Sequence, residues 1–160
     1  MNVLNVGMAE IKITTAPDCL VTNGLGSCIG LCMYDPVRKL GGMVHIVLPT
    51  VTGLADRDQG GKYAVTAVPL LVEKMLGQGA TKQRLVAKIA GGAEMFSFPG
   101  QDSVLKIGKR NAEAVTAILR ESGIPLAAAD VGGNFGRTIQ FDTNTGMLKV
   151  KTINHGEKVI

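Results

Sequence analysis

Residues 22–49, Thr22-Asn23-Gly24-Leu25-Gly26-Ser27-Cys28-Ile29-Gly30-Leu31-Cys32-Met33-Tyr34-Asp35-Pro36-Val37-Arg38-Lys39-Leu40-Gly41-Gly42-Met43-Val44-His45-Ile46-Val47-Leu48-Pro49, decide how the chain reads. Ile29 to Tyr34 and Met43 to Leu48 have the apolar character of strands, and Asp35-Pro36 with Arg38-Lys39 behind it reads as the turn between them. A turn centred between Pro36 and Val37 sets Tyr34 opposite Lys39, Cys32 opposite Gly41, Gly30 opposite Met43 and Cys28 opposite His45. Directly opposed residues of an antiparallel pair stand about 4.5–5.5 Å apart and share a face. In that register a thiol and an imidazole can share a proton. Ile29, Leu31, Met33, Val44, Ile46 and Leu48 then form the other, wholly apolar face, and a slip of one residue would destroy the arrangement.

Outward from the hairpin, residues 2–14 read as one or two short strands broken by Gly7, and Ala16-Pro17-Asp18 as a turn. Cys19 to Thr22 is a short strand leading into the glycines. The polar stretch 50–61 reads as a mobile loop of the kind that reads substrates. Tyr63 to Leu76 has helical spacing through Ala64, Ala67, Val68, Leu71, Val72 and Met75. Pro69 inside it predicts a kink or a start nearer Thr66. Strands are expected at Leu85–Ala90 and Leu126–Val131, a loop at Phe96–Leu105 and a second helix at Gly108–Glu121 closed by Gly123. Arg137–Phe141 and Met147–Ile153 pair through the turn Thr143-Asn144-Thr145-Gly146. Two main helices and about eight strands predict an α+β fold: mixed, largely antiparallel sheets flanked by the helices, in one domain spanning 1–160.

The chain has 160 residues, 46% of them hydrophobic, enough for a sizeable core. Aromatics are 4%, with no Trp, which argues against a base-stacking nucleic-acid surface. The net charge of +4 comes from scattered basic residues, a solvated surface rather than a phosphate-binding face. Three cysteines, Cys19, Cys28 and Cys32, with no secretory leader, predict free thiols in a reducing, cytoplasmic setting. No apolar run reaches the ~20 residues of a membrane span, so no membrane insertion is expected.

Gly24, Gly26 and Gly30 lack the spacing of a dinucleotide fingerprint, and a strand follows them rather than a helix. They let the backbone turn sharply, leaving N–H groups near Ser27 and Cys28 to meet an oxyanion, with Gly26 and Ser27 forming the turn. Gly26-Ser27-Cys28-Ile29-Gly30 also fits a nucleophile elbow, which would make a small-ester hydrolase, but the elbow needs a following helix. A metal site is disfavoured: Cys28 and Cys32 on one strand lie about 13 Å apart at ~3.3 Å per residue. Cys19 and Cys32 read as buried space-fillers and His155 as a surface residue. For Cys28 two readings stand together, a buried core thiol and a nucleophile beside a histidine. Thr22 by itself reads as a β-branched strand residue.

The blocks Thr22-Asn23-Gly24-Leu25-Gly26-Ser27-Cys28, Tyr34-Asp35-Pro36 and Gly42-Met43-Val44-His45-Ile46-Val47-Leu48-Pro49 resemble the bacterial chemoreceptor glutamine deamidase family, CheD. The resemblance continues through Lys62-Tyr63-Ala64, Ala87-Lys88-Ile89-Ala90-Gly91-Gly92-Ala93 with Met95-Phe96, Ile107-Gly108 with Arg110-Asn111, and Asp130 with Gly132-Gly133-Asn134. Val65 replaces an expected acidic residue, and the stretch from Ser97 to Lys106 is longer than the pattern. The resemblance implies a cysteine amidohydrolase that converts receptor glutamines to glutamates, tuning chemotaxis adaptation, with glutamyl methyl ester hydrolysis as a possible extension. It makes Cys28 the nucleophile, His45 the base and Thr22 the residue orienting the histidine. It implies no metal or organic cofactor. It implies chemoreceptor cytoplasmic domains as substrate and a CheC-type phosphatase as partner, and the main alternative is a binding regulator of that phosphatase with little catalysis. The implied fold is a three-layer sandwich resembling the catalytic domain of cytotoxic necrotizing factor toxins. For reaction at neutral pH, His45 is expected to depress the Cys28 pKa below the ~8.5 of a free thiol.

Overall fold

A computed structural model describes residues 1–51, 60–95 and 106–160. Strands β1 (Val3–Asn5), β2 (Ile11–Thr15), β3 (Cys19–Leu25), β4 (Ile29–Asp35) and β5 (Leu40–Ile46) come first. Helix α1 (Ala64–Gly77), β6 (Val86–Gly91), α2 (Ile107–Glu121), β7 (Leu126–Val131), β8 (Arg137–Asp142), β9 (Leu148–Lys151) and β10 (Glu157–Val159) follow. They form two five-stranded sheets, ordered β1-β3-β8-β9-β10 and β2-β5-β4-β6-β7. Among the strands of the described residues, β1 with β3 and β6 with β7 run parallel, and the second pair is joined through α2, as a parallel crossover demands. The fold is the expected α+β arrangement of mixed, largely antiparallel sheets with two main helices.

The central hairpin explains the layering. All seven residues of β4 and all seven of β5 are buried, because both of their faces are covered. One face carries Ile29, Leu31, Met33, Val44 and Ile46 against Ala67, Val68, Leu71 and Met75 of α1 and Val115 and Leu119 of α2. The opposite face sets Cys32, Tyr34 and Met43 against Leu20, Leu25, Ile139 and Phe141 of the other sheet. Sheet, sheet and helices thus make three layers with two apolar seams.

The register differs from the expected one. Asp35 pairs with Leu40, and the ladder runs on to Gly30 opposite His45 and Ile29 opposite Ile46. The loop therefore holds Pro36, Val37, Arg38 and Lys39. Asp35 does begin the turn, but its carboxylate accepts the N–H groups of both Val37 (3.1 Å) and Arg38 (3.3 Å), and Lys39 adopts φ 49°. That carboxylate also binds the Thr81 N–H and Arg84, which holds its pKa far below the ordinary carboxylate range. This anchored, wider loop moves every partner along by two residues. Each side chain keeps its expected face, yet Cys28 loses its direct opposition to His45. Leu48 lies beyond the end of β5, bridging to Tyr63.

Helix α1 starts at Ala64, not near Thr66, and carries Pro69 in its second turn. Pro69 is exposed, as is Val65, the residue whose carbonyl loses its helical donor, so the proline lies on the solvent side of the helix. Helix α2 ends as expected, with Gly123 at φ +74° and the Ile124 N–H on the Leu119 carbonyl (2.9 Å). Strand β10 was not expected: its three residues are all exposed, so no apolar alternation marks it. The loop expected at 50–61 lies mostly, and that at 96–105 wholly, outside the described residues. Among the described residues no helix is long and apolar enough to cross a membrane.

Candidate active site

Thr22, Cys28 and His45 come from two sheets and the turn between them. Thr22 sits on β3, His45 on β5 in the facing sheet, and Cys28 in the turn that carries the chain from β3 into β4. The Thr22 Oγ1 lies 2.6 Å from the Val6 carbonyl oxygen and 2.8 Å from His45 Nδ1. A hydroxyl has one proton, and the carbonyl can only accept it. Oγ1 must therefore accept from Nδ1–H, which leaves the lone pair on Nε2. That Nε2 is buried and has no hydrogen-bond partner among the described residues. Opposite His45 stands Gly30, which has no side chain. Cys28 is the next residue of that face, a diagonal neighbour, and in a regular ladder such neighbours stand about 7–8 Å apart.

The turn itself is clamped from one side. Ala93 N–H donates to the Gly26 carbonyl (2.8 Å), Gly92 N–H to the Cys28 carbonyl (2.9 Å), and Asn111 Nδ2 to the Ser27 carbonyl (2.9 Å). In a trans peptide the N–H points opposite to the carbonyl. Holding the Gly26 and Ser27 carbonyls inward thus turns the N–H groups of Ser27 and Cys28 outward, and no described group accepts either. The bend before it is closed by the Gly26 N–H on the Gly24 carbonyl (3.1 Å), a three-residue turn centred on Leu25, with Gly24 at φ +69°. Gly91 must be glycine: its φ is +117°, and a Cβ there would land on the Cys28 carbonyl oxygen. Cys28 is 8% exposed and opens on a cleft of about 340 Å³ lined also by Gly24, Ser27, Ala93, Glu94, Met95 and Ile107.

A family model described as CheD chemotactic sensory transduction matches residues 47–152. Three relatives extend the match over the site. A probable chemoreceptor glutamine deamidase CheD of Desulfitobacterium hafniense is 62% identical over 99% of each chain. One of Syntrophomonas wolfei is 51% identical over 99% of this chain and 98% of that one. A chemoreceptor glutamine deamidase CheD of Halalkalibacterium halodurans is 47% identical over 99% of both. The chain belongs to the CheD family.

In this CheD chain the electrostatics differ from the expectation of a depressed cysteine pKa. Burial raises the Cys28 thiol above its ordinary value and lowers the His45 imidazole below its own. Both shifts favour the uncharged forms, so the resting pair is a thiol beside a neutral imidazole. Iodoacetamide labelling of Cys28 should then rise with pH through the alkaline range, half-maximal above the ~8.5 of a free thiol. Cys19 and Cys32, 3% and 1% exposed, should stay inert in the folded CheD chain. A labelling plateau near neutral pH would reveal a resting thiolate and overturn this charge assignment.

Several contributors to the site escaped the sequence reading. The Val6 carbonyl comes from a segment that crosses the sheet edge and bridges to His45 through Met8. Gly91 to Ala93, beyond the strand expected to end at Ala90, and Asn111, in the second helix, belong to blocks of the family resemblance but receive no role in the site from it. The Gly91-Gly92 pair was the one available signal, since two adjacent glycines after a buried strand mark a close backbone approach. His155 is exposed and stacks on Phe135 at 4.1 Å between centroids, away from the trio.

Proposed function

We propose that this chain is a protein-glutamine glutaminase, a cysteine amidohydrolase that converts glutamine side chains of chemoreceptors to glutamate and so tunes chemotaxis adaptation. We read residues 1–160 as one deamidase domain working in the cytoplasm, with chemoreceptor cytoplasmic domains as substrate and a CheC-type phosphatase as partner. The observation that carries the reading is the Thr22–His45 hydrogen bond, which leaves the lone pair on an Nε2 without a partner among the described residues, in a side chain on the same face as Cys28.

The chemistry follows from these groups. When the carboxamide enters the cleft, His45 Nε2 takes the Cys28 proton as sulfur forms a bond to the carboxamide carbon. The carbonyl π electrons move to oxygen, where the Ser27 and Cys28 N–H groups receive the charge. The oxyanion collapses, the C–N bond breaks, and the imidazolium proton leaves with ammonia. Water then gives a proton to Nε2 while its oxygen adds to the thioester carbon. Cleavage of the C–S bond returns the proton to sulfur and frees glutamate. Thr22 keeps the imidazole in the tautomer that each step needs. Contacts between catalytic groups often tighten only when substrate binds, which suits the diagonal Cys28–His45 placement.

Incubation with a receptor cytoplasmic fragment, read by peptide mass spectrometry, should show glutamine-to-glutamate conversion at discrete sites; no conversion by the wild-type chain sinks the proposal. Thr22→Val keeps the side-chain shape but removes the acceptor for Nδ1–H. It should lower kcat on the order of a hundredfold, the lower end of what a positioned base contributes. An unchanged rate would remove Thr22 from the site.

A further inference from the structure

Beyond Cys28, His45 and Thr22, the geometry points to Asn111 as a positioning residue for the deamidation: its amide locks the Ser27–Cys28 peptide so that the Cys28 N–H faces the cleft. This rests on the reading of Cys28 as the nucleophile. Asn111 lies on α2 and is fully buried. Its Nδ2 donates at 2.9 Å to the Ser27 carbonyl and at 2.9 Å to the Val47 carbonyl.

Those two acceptors lie where the central ladder ends. The last pair is Ile29 with Ile46, and continuing the register would set Cys28 opposite Val47. Instead the strands part. The Val47 N–H donates to the Lys62 carbonyl, the Cys28 carbonyl accepts from Gly92, and the Asn111 amide fills the gap. With the Val47 oxygen held by Asn111, the Cys28 N–H is left without an acceptor among the described residues. With the Ser27 oxygen held as well, the same peptide cannot rotate to turn that N–H away. One side chain thus restrains both the oxyanion donor and the backbone two residues past His45.

The Asn111 Oδ1 has no hydrogen-bond partner among the described residues. An apolar residue would spare the fold that orphaned acceptor, so the two Nδ2 bonds are the reason for an amide here. Helix α2 is seated to deliver it. Gly108, one turn earlier on the same face, lies so close to the Gly92 and Ala93 carbonyls that a Cβ would collide with both. The backbone strip that clamps the Cys28 turn therefore also sets the depth of α2.

The test uses Asn111→Ala in the full chain. The kcat for glutamine conversion should fall about 10²–10³-fold, as when an oxyanion donor is lost. KM for the receptor fragment should stay within about threefold. A peptide aldehyde, with the glutamine carboxamide replaced by CHO, adds the Cys28 thiol across its carbonyl: S–C forms, and the thiol proton ends on oxygen. Its affinity should fall by the same factor as kcat. Cys28 alkylation by iodoacetamide, which develops no oxyanion, should not change. A kcat within threefold of wild type, or an equal fall in alkylation, overturns the proposal. If the variant does not fold, NMR of the wild-type chain decides: both Asn111 carboxamide protons should exchange slowly and shift when the aldehyde adds, and freely exchanging, unshifted signals overturn it. Cys28→Ala is run alongside, and conversion by that variant would defeat the nucleophile reading itself, whatever Asn111 does.

Discussion

Replacing Cys28 with alanine should lower glutamine conversion by at least about 10⁴-fold, because the step that forms the acyl-enzyme loses its nucleophile. What remains in the variant is the His45 base and two outward N–H groups, able at best to direct a water at the carboxamide, and such residual sites retain only a small part of the rate. The fold should survive. Cys28 lines a cleft and lies in a turn held by backbone and Asn111 contacts, none of which involves sulfur. Far-UV circular dichroism and thermal melting should match wild type. Capture of a CheC-type phosphatase, measured by pull-down, should also persist, since docking needs no thiol. Conversion within tenfold of wild type in this variant would leave Cys28 a core cysteine and return the chain to a binding role.

Phe141→Ala should cost about 3–5 kcal/mol of stability, the range for truncating a buried aromatic. Phe141 is 1% exposed, lies in the seam between the sheets, and meets Tyr34 edge-to-face with centroids 5.4 Å apart. Its ladder partner is Leu20 on β3, the strand that also carries Thr22. The seam that Phe141 fills is the one the Thr22–His45 hydrogen bond crosses, so opening it should loosen the site before the helices separate. Urea denaturation read by circular dichroism should show a lower midpoint with little change in slope. A loss under about 1 kcal/mol would mean that the two sheets are not held by a packed apolar layer.

Much of this architecture was legible in the residues. The run Ile29–Tyr34 and its partner Met43–Ile46 carry large apolar groups at every second position, and the positions between them hold glycine, cysteine, methionine, tyrosine and histidine. Such strands tolerate burial on both faces, and that is why they form the middle layer. Helical spacing located α1 and α2 to within a residue or two. Strand β10 was missed because pairing with β9 stabilises it through the backbone, and backbone hydrogen bonds leave no trace in side-chain pattern.

Side-chain alternation in the central hairpin determined by itself which face Cys28 and His45 share, because that face depends only on the parity of the loop. Loops of two and of four residues have the same parity and bury the same aliphatic groups, so local pattern cannot choose between them. The choice fell to a carboxylate that reaches from Asp35 to Arg84, 49 residues away. The same holds for the tautomer of His45, set by a threonine and a carbonyl from other strands, and for the Cys28 turn, clamped by Gly92, Ala93 and Asn111. These are contacts between segments distant along the chain, and only the folded chain brings them within hydrogen-bonding reach.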